Sequence, residues 1–410
     1  MRMRFVLVPA IVMVCLLGAQ VTTRVRQPSA AGTLYPADRE ALRAAVQRYL
    51  GEADVMVPPG RIVACIAPHD GYGLSGEVAA HAFKPLQTGQ YSRIIVLSPS
   101  HYAAFRGCSI AAVQAYRTPM GEVVIDGPAI QQLTLCTLIS RRAVKYEQTA
   151  VTDEQSVGKS KQRARKSDQP SRKARQRLFG DKRPPLRFQP PPDRVQIHEM
   201  EYGIEVVLPF LQQQVGLFGL VPIVVGECVN DYTGEIDDDA ILTIVRELRN
   251  VMDDETLIIV STNLTHYGNA YSYRPFKDNV LENVEALDKQ AIRLLLEKDY
   301  EGFKAYLKKT ENPICGKTAL LILLKLLPKE TIGHLLDYDI SARKTNNLED
   351  AVGYASLVFV DPTRLPAEPH PEAAIPPPVS GPTPPQETGA IPPPSTDARP
   401  SPDKPTEEGK

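Results

Sequence analysis

The sequence predicts a single domain of layered α/β/α class, built on a central mixed, largely parallel sheet. Three observations carry that expectation. Short β-branched runs such as RIVACIA (61–67), RIIVLSP (93–99) and TLIIVST (256–262) alternate with stretches of helical spacing, a succession that puts helices on both faces of a sheet. The same rhythm resumes beyond a long basic segment. Neither half alone has the strands for a complete sheet, so residues 27–360 read as one domain interrupted at 151–194.

Taken in order, residues 1–26 begin with Arg2 and Arg4, followed by an apolar stretch from Phe5 to Ala19. Its length suits a signal peptide and is short for a membrane span. Export to a periplasmic or other extracytoplasmic space is expected, with the segment either cleaved or kept as a membrane anchor. Helices are expected at 37–53 and 75–86, around the two early strands. Residues 151–194 carry about eight net positive charges and few apolar side chains, a composition of disorder. A solvated loop is the simpler reading; a basic arm for an anionic partner such as lipid, nucleic acid or cell-wall polymer is its rival. VQIHEMEYGIEVVLPFLQQQ (195–214) reads as one amphipathic helix, GLVPIVVGE (219–227) as a strand, and 237–252 as a helix. Further helices at 284–309 and 315–328 precede a last strand, YASLVFV (354–360). Residues 361–410 are proline-rich and polar, a disordered tail.

A net charge of -1 gives no global pull toward nucleic acid or acidic lipid. Of six cysteines, Cys15 lies in the leader; the other five include no C-x-x-C pair, which argues against a zinc ribbon or a thioredoxin-type motif. His69, His101 and His266 each follow an apolar run, and His198 opens a helix. His81 sits inside a helix, where solvation or packing is the default, and His334 and His370 have no supporting pattern. One histidine after a strand is usually a hydrogen-bonded turn residue. Three after separate strands converge, because strand ends in a layered sheet lie along one edge. Cys315, at an apparent helix start, supplies the anionic ligand that a metal held by two imidazoles requires. HEMEY lacks the second histidine of H-E-x-x-H, CGKTALL lacks the first glycine of a P-loop, and NLT at Asn263 faces a pocket, a poor place for a glycan.

AAGTLYPAD, APHDGY, SPSHY, YRTPMGEVVID, EYGIEVVLPFL, STNLTHYG and NPICGK occur in an order and spacing that resemble the Memo family, also called AmmeMemoRadiSam system protein B. The resemblance spans 27–360 apart from the insertion. It implies a fold like the class III extradiol dioxygenases and one iron or copper ion on His69, His101 and Cys315, ligands that zinc also accepts. It further implies that Asn263 and His266 line the pocket as catalytic residues. Three positions depart from the family: Asn263 replaces aspartate, Tyr202 replaces histidine after Glu201, and Asp70 stands where alanine is common. The function expected is redox, dioxygenase-like chemistry on a small-molecule or peptide substrate. Its alternative is a non-catalytic ligand- or peptide-binding module with the metal structural or absent. A zinc hydrolase using Glu205 as base ranks third.

Overall fold

The computed structural model describes residues 24–57, 59–144, 195–230 and 232–365. The expected insertion at 151–194 lies outside the described residues, as do the leader before Arg24 and the tail after Leu365. In chain order the elements are β1 (Val25–Arg26), α1 (Arg39–Glu52), β2 (Arg61–Ala67), α2 (Tyr72–Phe83), β3 (Arg93–Pro99), β4 (Cys108–Ile110), β5 (Ala115–Thr118), β6 (Gly121–Val124), α3 (Gly127–Leu133), β7 (Ile139–Ser140), β8 (Ala143–Val144) and β9 (Val195–Gln196). They continue with α4 (Ile197–Met200), α5 (Gly203–Gln214), β10 (Gly219–Val225), α6 (Asp238–Arg249), β11 (Thr256–Ser261), β12 (His266–Gly268), α7 (Val280–Leu296), α8 (Tyr300–Thr310), α9 (Lys317–Leu326), β13 (Ile332–Ile340), α10 (Ser341–Thr345) and β14 (Asp350–Asp361).

A nine-stranded mixed sheet forms the centre, in the order β12-β14-β2-β11-β3-β10-β4-β7, with β13 also on β14. Its middle four strands, β2, β11, β3 and β10, are mutually parallel, while β4 and β14 join them antiparallel. These middle strands are apolar almost without alternation, as strands covered on both faces must be. Helices α1, α2 and α5 pack together on one face, and α6, α8 and α9 form a layer on the other. The expected layered α/β class is what the chain adopts. The local reasons are ordinary: Asp38 caps α1 by accepting from the Ala41 N–H, and Leu42, Val46 and Leu50 repeat at helical spacing on its buried side. Asp237 caps α6 in the same way. Among the described residues no helix is long and apolar enough to cross a membrane.

Three details differ from the expectations, the first being that the stretch 284–309 is two helices, α7 and α8, parted around Lys298 with its left-handed backbone. The segment 195–214 is strand β9 and two helices, interrupted at Glu201–Tyr202, where Glu201 turns to His101 and Gly203 packs where a Cβ would meet Ser98 Oγ and His69 Nδ1. The hairpin β5–β6 and the nine-residue strand β13 had no assignment. β5 and β6 pair with each other across a two-residue turn, and β1, remote in sequence, joins β5 to make a separate three-stranded sheet.

Strand β1 is fastened by a buried ion pair. Arg26 and Glu205 have fully buried side chains and bond directly. The rest of the guanidinium donates to His198 O (2.9 Å), Glu201 O (2.6 Å) and Ser29 Oγ (2.9 Å). Glu205 accepts from the Ser29 and Ala30 N–H groups (both 2.9 Å) and from Tyr35 Oη. Burial opposes ionisation of this carboxyl, but Arg26 and these donors hold its pKa below the usual range. Arg26→Met should therefore cost about 3–5 kcal/mol by stranding a buried charge, and adding Glu205→Leu should recover part of the loss. Urea unfolding of the three chains checks this; a single variant as stable as the parent refutes it.

Candidate metal centre

The site forms where parallel strands end. In the order β2-β11-β3, neighbouring strands lie about 4.8 Å apart, so residues just past their carboxyl ends face one another. His69 follows β2, His101 follows β3, and Ser261, Thr262 and Asn263 close β11 between them. The two imidazole rings meet edge to face with centroids 4.9 Å apart. Cys315 enters from the loop before α9, where helix-terminal N–H groups favour a thiolate. Gly316 lets that loop close in, since a Cβ there would collide with Thr262.

His69, His101 and Cys315 offer one ligand atom each, all within 4.8 Å of one another. Cys315 Sγ lies 3.6 Å from His69 Nε2. Two ligands of a tetrahedral ion, with sulfur at about 2.3 Å and nitrogen at about 2.1 Å, are about 3.6 Å apart, so the spacing fits a shared metal. Each imidazole has its far nitrogen tied. His69 Nδ1 is 3.0 Å from Ser261 Oγ, whose own hydrogen goes to Gly203 O at 2.6 Å; the hydroxyl therefore accepts, and Nδ1 carries the proton. His101 Nδ1 donates to Glu201 Oε2 at 2.9 Å. Both Nε2 atoms are left for the sulfur side, and carboxylate-backed imidazole is a recurrent feature of metal-binding histidines.

Burial opposes charge on both partners, yet Glu201 and Cys315 raise the His101 pKa to about 9, and the imidazoles hold the Cys315 thiol well below its ordinary value. Asn263 N–H adds a donor to Sγ at 3.3 Å. The other described cysteines are free and buried, and burial raises Cys65, Cys108 and Cys228, the last to about 11.

The sequence candidates separate clearly. His266 opens β12, a strand of its own paired with β14, and is not one of the three clustered ligand residues. It donates Nδ1–H to Leu264 O at 2.9 Å, and burial keeps its pKa below 6.5 and the ring neutral. Asn263 Oδ1 accepts the His69 N–H at 3.0 Å, so this amide orients the ligand loop. His198 lies elsewhere, buried between Tyr116 Oη (2.6 Å) and Ser109 O (2.9 Å). His81 sits beside Asp337 and stays outside the cluster. Glu205 is locked to Arg26, which removes it as a hydrolytic base.

Two residues were missed in these roles. Glu201, noted only as a neighbour of Tyr202, accepts from His101 N (2.6 Å), Tyr102 N (3.0 Å) and Ser100 Oγ (3.1 Å) as well as from the ring. Asp288 on α7 binds Thr265 N (3.0 Å) and Tyr338 Oη (2.8 Å), and Asn312, three residues before Cys315, bonds the same threonine at 2.7 Å. The sequence signal for Glu201 was an acid beside an aromatic, just before the apolar run GIEVVLPFL. Asp288 gave none.

A family profile described as Memo-like protein matches residues 26–157 and 188–358. The chain belongs to the Memo-like family. The match is interrupted within the basic stretch and includes every residue of the cluster. The protein memo-1 homolog of Caenorhabditis elegans is 26% identical over 352 residues, covering 82% of this chain and 83% of its own. A MEMO1 family protein of Thermococcus kodakarensis is 26% identical over 345 residues (82% and 99%), and human protein MEMO1 is 24% identical over 347 residues (81% and 96%).

Two outcomes follow from these environments. Iodoacetamide at pH 7, applied to chelator-treated protein, should alkylate Cys315 well before the buried cysteines, read by peptide mass spectrometry; uniform labelling contradicts the thiolate. Burial, with Arg26 nearby, lowers the His198 pKa to about 3 from 6.5. Between those values the unfolded chain binds the extra proton, so the stability linked to His198 is whole above about 6.5. It is lost toward about 3, at about 1.4 kcal/mol per pH unit. His198→Gln should flatten that part of the acid-unfolding curve followed by circular dichroism, and parallel curves would count against the assignment.

Proposed function

We propose that this Memo-like chain is a metal-dependent oxidoreductase of dioxygenase-like chemistry, holding one iron or copper ion on His69, His101 and Cys315. The observation that carries the reading is the convergence of two Nε2 atoms and a thiolate within 4.8 Å, each imidazole fixed from behind. Bound there, such an ion supplies one-electron chemistry and an open position for oxygen or substrate. The protein's own groups then have distinct tasks. Glu201 and Ser261 keep His101 and His69 in the tautomer that presents Nε2. His266, neutral with its proton on Nδ1, leaves Nε2 to accept a proton from a substrate hydroxyl and return it later. Asn263 sets the His69 turn and donates to the sulfur. The commitment of Glu205 to Arg26 favours redox chemistry over metal-assisted hydrolysis.

A second reading is a ligand- or peptide-binding module in which the metal is structural. One observation favours it. Tyr202 stacks on His101 with ring centroids 4.8 Å apart, and burial raises its phenol pKa, so it cannot exchange protons near neutrality as histidine could. Among the described residues His266 is then the imidazole beside the ligands left to exchange protons.

Elemental analysis and electron paramagnetic resonance on the anaerobically purified chain should give about one iron or copper per molecule. Cys315→Ser should abolish that binding, and Glu201→Gln should weaken it about 10–100-fold. Protein holding no metal after anaerobic loading overturns the proposal, and bound metal without oxygen consumption across a phenol and thiol panel moves it to the second reading.

A further inference from the structure

The open side of the centre carries groups that the metal ligands do not use. His69 and His101 are buried, whereas Asp70, Tyr102, Tyr202 and Tyr271 are half-buried around them. Tyr202 lies against His101 and meets His69 edge-on at 5.7 Å; Tyr102 meets Tyr202 edge-on at 6.3 Å. On the other side Tyr271 meets His266 edge-on at 5.0 Å and packs against Tyr354. Asp70 directly follows His69 in the chain and bonds Tyr354. Its Oδ2 accepts from Tyr354 Oη at 2.6 Å and its Oδ1 from the Gly71 N–H at 2.7 Å, so each oxygen keeps a lone pair. Burial and, after it, the Asp70 carboxylate both raise the phenol pKa values of Tyr271 and Tyr354.

Among the described residues Asp70 has no ion-pair partner. A carboxylate without a counter-ion, ringed by tyrosine faces and close to a thiolate, repels anions. It suits a cation whose alkyl surface packs on the rings while its charge meets both the carboxylate and the negative faces of the π systems.

We propose that Asp70, Tyr102, Tyr202 and Tyr271 form the subsite for an alkylammonium group on the substrate. The inference rests on the reading of this centre as the place where substrate binds, and it adds the substrate's charge class. Asp70 sets that specificity, and Tyr271 supplies the face opposite Tyr202.

Benzyltrimethylammonium, titrated calorimetrically into the full chain at pH 7, should bind saturably, and phenylacetate should not. Asp70→Asn should weaken the cation about tenfold and Tyr271→Leu by a similar factor, with Asp70→Glu regaining part of the loss. Thermal melts verify that each variant is folded, and Tyr271→Leu carries the test should Asp70→Asn fail to fold. Equal affinity for the two probes, no binding of the cation, or unchanged cation affinity in folded Asp70→Asn protein overturns the subsite. Metal content on the same samples separates the two claims: cation binding through Asp70 in a chain that holds no metal leaves the subsite standing and sinks the oxidoreductase reading, and a metal-loaded chain that ignores the cation does the reverse.

Discussion

One carboxylate organises the centre. Glu201 accepts from the backbone of His101 and Tyr102, from the Ser100 hydroxyl and from the His101 ring, four donors on one buried side chain. A buried charge is tolerated only when its lone pairs are filled, and here the filling groups are the turn that presents the ligand. The carboxylate thus fixes the turn, the ring orientation and the nitrogen left for the sulfur in a single arrangement. Its own position is held in turn, because Arg26 donates to the Glu201 carbonyl oxygen and pairs with Glu205 one helical turn further on. Strand β1 and the His/His/Cys cluster are therefore mechanically linked through one guanidinium.

The opposite flank has a comparable support. Asp288 gathers Thr265, in the loop that carries Asn263 and His266, and Tyr338 on β13, while Asn312 joins Thr265 to the loop that carries Cys315. Burial raises the Asp288 pKa to about 6 despite these donors, so the clamp is strongest with the carboxylate ionised. Two clamps, Glu201 under the histidines and Asp288 behind the cysteine loop, bring together residues separated by more than two hundred positions. Such fixed surroundings are what a ligand set needs to keep its geometry when no metal occupies it.

Much of this was legible beforehand, for identifiable reasons. The β-branched runs at 61–67, 93–99 and 256–262 are strands because strands covered on both faces must be apolar throughout, and that pattern needs no knowledge of partners. The positions of His69 and His101 just past two such runs, with Cys315 before a helical one, pointed to a shared edge. The break at Glu201–Tyr202 was hidden because an apolar periodicity continues across it; only the approach of Gly203 to His69 demands the interruption. Strand β13 and the hairpin at 115–124 escaped notice because neither is an apolar run: β13 carries His334, Asp337 and Asp339, and the hairpin carries Arg117 and Glu122.

The sequence by itself determined the layered α/β class, the principal strands and helices, and the three residues able to share a metal, because periodicity and strand-end placement are local properties. Tertiary structure alone decided that Glu201 backs His101, that Glu205 answers Arg26 instead of the pocket, that His198 is a buried neutral strut, and that Asp70 bonds Tyr354 with no ion-pair partner among the described residues. Hydrogen-bond partners and burial depend on which surfaces meet, and that information exists only once the chain has folded.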